Sequence, residues 1–202
     1  MYLYIENKLS PMETFENELK PSESLQVIMD VIGRTKENIK EHGYLFLLWG
    51  WLIAIASILF FLLHTYTTSR LYFLPFPILA LTGIIVTLVS WSKRAHSSET
   101  YIAYYLKRLW QALGLGFIVV VFMNVVKGNP PFPYTILLGG IGTLASGLVL
   151  KFRPLTIGGF IFLAMSIASI FVTNAYAPLL QAVAVVTGYL IPGYLLKLSK
   201  AQ

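Results

Sequence analysis

The stretch PFPILALTGIIVTLVSWSKR, from Pro75 to Arg94, has a close counterpart in PFPYTILLGGIGTLASGLVLKFR, from Pro131 to Arg153. Each stretch opens with Pro-Phe-Pro, continues as an apolar run and ends near two basic residues. Proline suits the first turn of a helix, where its missing N–H leaves no hydrogen bond unmade, and an apolar run of about 20 residues can cross a bilayer. Both stretches are therefore predicted to be membrane-spanning helices that begin on the same side of the membrane.

The composition of the whole chain supports this prediction. Of the 202 residues, 56% are hydrophobic and 12% are charged, and the mean hydropathy is +0.71. Such a chain has too little polar surface to cover a soluble fold, so it is predicted to be an all-α integral membrane protein. It contains no cysteine, which excludes disulfides and thiol chemistry.

Six apolar segments within residues 43–202 are long enough to cross the bilayer. Each is expected to be a helix, because the backbone polar groups must be satisfied within the segment. The connections are short, so we expect three antiparallel hairpins, with Pro178 before the last segment as a reduced third copy of the Pro-Phe-Pro motif. The predicted spans are approximately 44–64, 71–91, 109–126, 134–150, 155–172 and 179–196.

Lysine and arginine are distributed unequally between the two sides of this layout. Of the 15 residues, Arg70 and Lys127 fall in connections on one side, and the remainder fall on the other. Cytoplasmic segments of membrane proteins carry the excess of positive charge. We therefore expect both termini in the cytoplasm and the protein in the inner membrane of a bacterial cell.

Residues 1–42 form a separate acidic segment that holds eight of the nine Asp and Glu residues. Within it, apolar residues recur at helical spacing from Leu25 onward, which predicts a cytoplasmic amphipathic helix over about 21–41. Its apolar face either lies on membrane lipid or docks a cytoplasmic protein partner. The sequence leaves open whether translation starts at Met1 or at Met12.

Polar residues within the predicted spans are few and uncharged. No Asp, Glu, Lys or Arg lies in the apolar cores of the spans, which argues against a carboxylate-driven pump. Gln111, Asn124 and Gln181 are predicted either to line a solute path or to form hydrogen bonds between helices. No catalytic, cofactor or metal site is predicted, so we expect a protein that is not an enzyme and has no nucleic-acid partner.

Two further groups of residues have predicted roles in contacts. Lys107, Arg108 and Trp110 stand at the cytoplasmic start of the third span, where basic and aromatic side chains can contact lipid headgroups. Small residues recur every four positions in the fourth span, at Gly139, Thr143 and Gly147. This spacing lets helices approach closely, within one chain or between the copies of a homo-oligomer.

The stretch ENIKEHGYLFLLWGWL ends the acidic segment and starts the first span. With the five spans that follow, and especially through Gly43 to Leu52, it resembles a group of small six-span bacterial membrane proteins found in Bacteroides relatives. The three-hairpin layout is also similar to that of the acid-resistance family of six-span membrane proteins. The resemblance implies a bacterial membrane protein and brings no established activity or site residues.

Two functions are compatible with these features. The first is a non-enzymatic sensing, scaffolding or regulatory membrane module. The second is a small channel or carrier for a neutral or apolar solute, lined by residues such as Asn124 and Gln181. In either case Pro192 is predicted to kink or loosen the last helix near its cytoplasmic end.

Overall fold

The computed structural model describes Tyr44 and residues 47–68, 71–94 and 101–198, all within one unit of the chain. Over these residues the protein is a helical bundle without strands. The predicted amphipathic helix at 21–41 lies outside the described residues. The helices are α1 (Leu47–Tyr66), α2 (Pro75–Arg94), α3 (Tyr101–Val126), α4 (Phe132–Val149), α5 (Arg153–Ala168), α6 (Ala177–Val185) and α7 (Ile191–Leu198).

Four helical segments are long and apolar enough to cross a membrane. They are α1, α3, α4 and the continuous helix Ala177–Leu198, in which the π-helical turn Val186–Leu190 joins α6 to α7. Two further apolar stretches, Pro75–Ser90 of α2 and the whole of α5, are shorter. The structure therefore agrees with the prediction of an all-α membrane protein.

Three helix boundaries differ from the predicted spans. α2 begins at Pro75 because residues 71–74 form a turn, in which the Leu74 N–H donates to the Leu71 carbonyl at 3.1 Å. A residue before proline is also disfavoured in the helical conformation. α5 ends at Ala168, before the turn that follows it, and α3 is already helical at Tyr101, well before the predicted span at 109–126.

Both α3 and α4 end in a Schellman motif, in which two backbone N–H groups after the helix donate to carbonyls of its last turn. This motif places one residue in the left-handed conformation. That residue is Gly128 after α3, with φ of 70°, and Lys151 after α4, with φ of 51°. Glycine adopts this conformation without steric cost, whereas Lys151 adopts it with a side chain in place.

The helices α4 and α5 form the most extensive contact among the described elements. A Cβ atom on Gly159 of α5 would lie 2.6 Å from the Cα of Leu144, and one on Gly147 of α4 would lie 2.5 Å from the backbone nitrogen of Thr156. Glycine is therefore needed for this backbone approach. The α4–α5 pair joins the second and third predicted hairpins, so the grouping into three hairpins stays a prediction.

An even closer approach lies between α5 and the π-helical turn. A Cβ on Gly158 would overlap the Gly188 carbonyl oxygen, and a Cβ on Gly188 would lie 2.7 Å from the Gly158 carbonyl oxygen. Pro192 has no N–H for the Gly188 carbonyl four residues earlier, while Ile191 donates to Val186, five residues earlier. The helix thus absorbs the proline as a π-helical turn.

The two Pro-Phe-Pro motifs meet in space. Phe76 at the start of α2 and Phe132 at the start of α4 have ring centroids 5.9 Å apart. Phe60 of α1 lies against both, with its ring centroid 5.6 Å from that of Phe76 and 5.3 Å from that of Phe132. We call this end of the bundle the motif end and the opposite end, where Lys107, Arg108, Lys151, Arg153 and Lys197 lie, the basic end.

The helix α3 is attached along one side only. Trp110 and Leu113 pack on Gly142 of α4, where an added Cβ would lie 2.6 Å from the Leu113 side chain. The most apolar part of α3 contains no buried residue, and Ile118 and Phe122 are largely exposed. A broad apolar face of α3 therefore points away from the described bundle.

Candidate functional site

One polar contact between helices joins α4 to α6. Gln181 of α6 is 5% exposed, and its side-chain oxygen accepts a hydrogen bond from the Thr135 hydroxyl at 2.8 Å. The same hydroxyl lies 3.0 Å from the Phe132 carbonyl oxygen. Thr135 follows the second Pro-Phe-Pro motif by two residues, so the motif positions it at the motif end of the bundle.

A second polar contact ties α5 to the same end of α4. The Ser166 hydroxyl donates to the Pro133 carbonyl at 2.9 Å, and the Ser169 hydroxyl donates to the Ser166 carbonyl at 2.6 Å. Pro133 is two residues before Thr135, so both contacts meet the first turn of α4. We call Thr135, Ser166 and Gln181 the polar layer.

The three glutamine and asparagine residues predicted to line a path do not lie together. Gln111 is exposed at the basic end, where its oxygen accepts a hydrogen bond from Arg108 at 3.2 Å. Asn124 lies in the last turn of α3 and donates to the Val120 carbonyl of its own helix at 2.8 Å. Only Gln181 of the three belongs to the polar layer.

Sequence reasoning did not identify Thr135 or Ser166 as partners of this site. Hydroxyl residues are common in membrane helices, and most of those described here donate to carbonyls of their own helix, so residue type alone does not single them out. The usable signal was position, because Thr135 and Gln181 both lie within one or two turns of a proline that starts a helix.

The predicted headgroup contacts divide into two kinds. Arg108 lies over the Tyr104 ring, 5.1 Å from its centroid, on the exposed start of α3. Trp110 is directed into the bundle instead. Its indole N–H donates to the Ser146 hydroxyl at 3.1 Å, and its ring centroid is 6.0 Å from that of Tyr189. The structure therefore places Trp110 in a helix–helix contact.

The small-residue row of α4 lies at the contact with α5. A Cβ on Gly139 would be 3.3 Å from the Phe162 ring, and one on Gly147 would meet the backbone of α5. Thr143 is fully buried between them and donates to the Gly139 carbonyl at 2.7 Å. This face of α4 is covered within the chain, so it is not available to a second copy.

The described residues also contain one apolar groove and no clustered metal ligands. An apolar groove of about 360 Å³ lies at the motif end, between α1 and the start of α2, and its lining includes Leu59, Leu63 and Leu71. Across the described ranges, no group of three or more His, Asp or Glu residues is placed to hold a metal ion. The expectation that the protein is not an enzyme stays a prediction.

Comparison with known proteins adds no relative. The chain matches no protein-family model, no curated protein and no solved structure. The resemblance based on Gly43 to Leu52 therefore also stays a prediction.

Proposed function

We propose that the protein is a non-enzymatic, multi-pass protein of the bacterial inner membrane that acts as a sensing, scaffolding or regulatory module. The observation that carries this proposal is the exposed apolar face of α3 beside the closely packed helices α4–α7. Such a face offers contact area to lipid or to another protein. The glycine contacts of α4–α7 supply a fixed platform behind it.

Six membrane spans remain the proposed arrangement, with both termini in the cytoplasm. α2 has 20 residues, and α5 packs along α4 although its 16 residues extend only about 24 Å. A short span can be accommodated by local thinning of the bilayer and by flanking side chains that reach outward. Lys151, Arg153 and Lys197 lie at the basic end, as the positive-inside rule requires of a cytoplasmic side.

Two contacts with other proteins follow from this proposal. The first uses residues 21–41 to dock a cytoplasmic partner, which the amphipathic pattern of the sequence supports. The second uses the exposed face of α3 to pair with a second copy of the chain. The small residues of α4 are already packed against α5 and cannot form this contact. In a bilayer, apolar exposure alone does not drive association, so close packing must supply the attraction.

Disulfide cross-linking in native membranes tests the second contact directly. The chain has no cysteine, so Ile118→Cys would introduce a single reactive site on α3. Ile157→Cys is the matched control, because Ile118 is 64% exposed and Ile157 on α5 is 60% exposed. We expect an oxidised dimer with Ile118→Cys and none with Ile157→Cys. Equal cross-linking of both variants, or of neither, would contradict self-association through α3.

A channel or carrier for a neutral solute is the second candidate, and one observation favours it. The buried Gln181 and the half-buried Thr135 form a hydrogen-bonding site between α4 and α6, of the kind that could bind such a solute. The test is glycerol flux into proteoliposomes containing the wild-type chain, Gln181→Met or Gln111→Met. Transport through the polar layer predicts flux that Gln181→Met abolishes and Gln111→Met preserves. Absence of flux from the wild-type chain would exclude this candidate for glycerol.

A further inference from the structure

Within the part of the chain that the structure describes, one buried hydroxyl has no hydrogen-bond partner. The side chain of Ser57 in α1 is 0% exposed, and its oxygen meets no donor or acceptor. An unsatisfied hydroxyl in an apolar interior costs about 1–3 kcal/mol, so its presence calls for a physical reason.

Ser57 is also unusual among the helical hydroxyls of this protein. Serine and threonine side chains within helices commonly donate to the carbonyl four residues earlier. Ser57 does not donate to the Ile53 carbonyl, four residues earlier. The residues that follow the common pattern are Thr82, Thr87, Thr143, Ser146, Thr156 and Thr187.

The contacts of α1 give the level of Ser57 along the last helix. Gly50 lies seven residues before Ser57, on the same face of α1, and it contacts Leu190. Phe61 is also on this face, and its ring centroid is 6.1 Å from that of Tyr176. α1 and the last helix run in opposite directions between these contacts. Ser57 lies between Gly50 and Phe61, and the corresponding level of the last helix is that of Gln181.

The contact with α4 gives the same level independently. Phe60 packs on Phe132, with ring centroids 5.3 Å apart. Moving three residues toward the basic end leads from Phe60 to Ser57 on α1 and from Phe132 to Thr135 on α4. Ser57 is therefore at the level of the Thr135–Gln181 pair.

We propose that Ser57 and the polar layer hold a buried water molecule that bridges α1 to Gln181. Thr135 occupies one polar group of the Gln181 amide, and the other group remains for a ligand in either orientation of the amide. A water that bonds Ser57 and Gln181 would satisfy both side chains, as buried waters commonly do. Ser57 and the polar layer are uncharged, so a neutral ligand that both donates and accepts hydrogen bonds fits them.

Thermal unfolding of the purified full-length chain in detergent decides between a wet and a dry site. If water bridges the two residues, Ser57→Ala lowers the apparent Tm by about 2–4 °C, which corresponds to one lost hydrogen bond. The same change in a Gln181→Met background has a much smaller effect, because the bridge is already broken. Gln111→Met is the matched control at an exposed glutamine and leaves the apparent Tm unchanged.

The opposite results would overturn the proposal. In a dry site Ser57→Ala removes an unsatisfied hydroxyl, so the apparent Tm stays the same or rises, and the effects of Ser57→Ala and Gln181→Met add. An experimental map that shows ordered water elsewhere but none at the Ser57 hydroxyl would also refute it. The water site does not depend on transport: glycerol flux can be absent while the two substitutions remain coupled.

Discussion

The two sides of the bundle use glycine in opposite ways. In α4–α7, Gly147, Gly158 and Gly188 each lie where a Cβ would collide with a neighbouring backbone. In α3, a Cβ on Gly114 would meet nothing within 4 Å, and one on Gly116 would make only an ordinary contact. Glycine thus sets the distance between helices on one side and has no such role on the other.

This difference shows how a membrane bundle can combine a closely packed part with an exposed apolar surface. Without a hydrophobic driving force between helices, close packing is the main source of stability in a bilayer, and glycines make that packing closest. The α4–α7 side has these contacts. The apolar face of α3 is exposed to lipid or to another protein, which is the property expected of a surface that senses or binds.

The largest expected effect comes from breaking the closest contact. Gly158→Ala places a methyl group on the Gly188 carbonyl oxygen. The position of the methyl group is fixed by the backbone of α5, and the oxygen belongs to the backbone of the last helix, so neither can rotate away. Overpacking of this kind costs about 1–3 kcal/mol, so we expect the apparent Tm in detergent to fall by about 2–12 °C. The measurement is thermal unfolding of the purified variant.

Gly114→Ala is the matched control for Gly158→Ala. It makes the same chemical change in open space, where alanine has the higher helix propensity. Its apparent Tm should equal that of the wild type or exceed it slightly. If Gly114→Ala and Gly158→Ala were equally destabilising, the contrast between the two sides would be wrong.

The positions of the helices could be predicted from the sequence because each one depends on local features. Apolar length and the prolines at Pro75, Pro131 and Pro178 indicate where helices lie, and all six predicted spans overlap described helices. The Gly158–Gly188 contact could not be predicted, because spacing identifies a face of a helix but not the helix that it meets. The same limit applies to Thr135 and Gln181, which are 46 residues apart in sequence.

Two site residues show how helix rotation limits sequence reasoning. Trp110 stands beside Lys107 and Arg108, as an interfacial tryptophan would, but the rotation of α3 directs its indole to Ser146. Pro192 indicated a disturbed final helix. Its position did not indicate that the disturbance would be a π-helical turn at Val186–Leu190, because a proline within a helix can also produce a kink or a break.

The attachment of α3 to the packed side supplies the next prediction. Trp110→Phe keeps most of the ring but removes the hydrogen bond to Ser146, which should lower the apparent Tm by about 2–4 °C. Trp51→Phe is the control. Its indole N–H bonds the Tyr194 hydroxyl at 3.1 Å in an exposed setting, so its loss should matter less. A larger decrease in Tm for Trp51→Phe than for Trp110→Phe would contradict the role of Trp110 in attaching α3 to α4.

The contact between the two Pro-Phe-Pro motifs connects α2 to the packed side. Phe76 and Phe132 each pack edge to face against Phe60. We therefore expect the effects of Phe76→Leu and Phe132→Leu on the free energy of unfolding to be coupled by about 0.5–1.5 kcal/mol. A double-mutant cycle on unfolding in detergent measures this coupling. Independent effects would show that the repeated motif acts only at helix starts, without joining α2 to α4.

The smallest effect is expected where the two sides share the same helix-end motif with different residues. Lys151 has a positive φ after α4, at the position that Gly128 occupies after α3. Lys151→Gly therefore relieves a conformational cost of about 1 kcal/mol. The added freedom of glycine in the unfolded chain offsets roughly 0.5 kcal/mol, which leaves a gain of about 0.5 kcal/mol and a rise in Tm of about 1–2 °C. Lys151→Ala separates this backbone effect from the lost charge, because alanine removes the charge and keeps the steric cost. A rise with both substitutions would assign the effect to the charge, whereas a rise with glycine alone would assign it to the backbone.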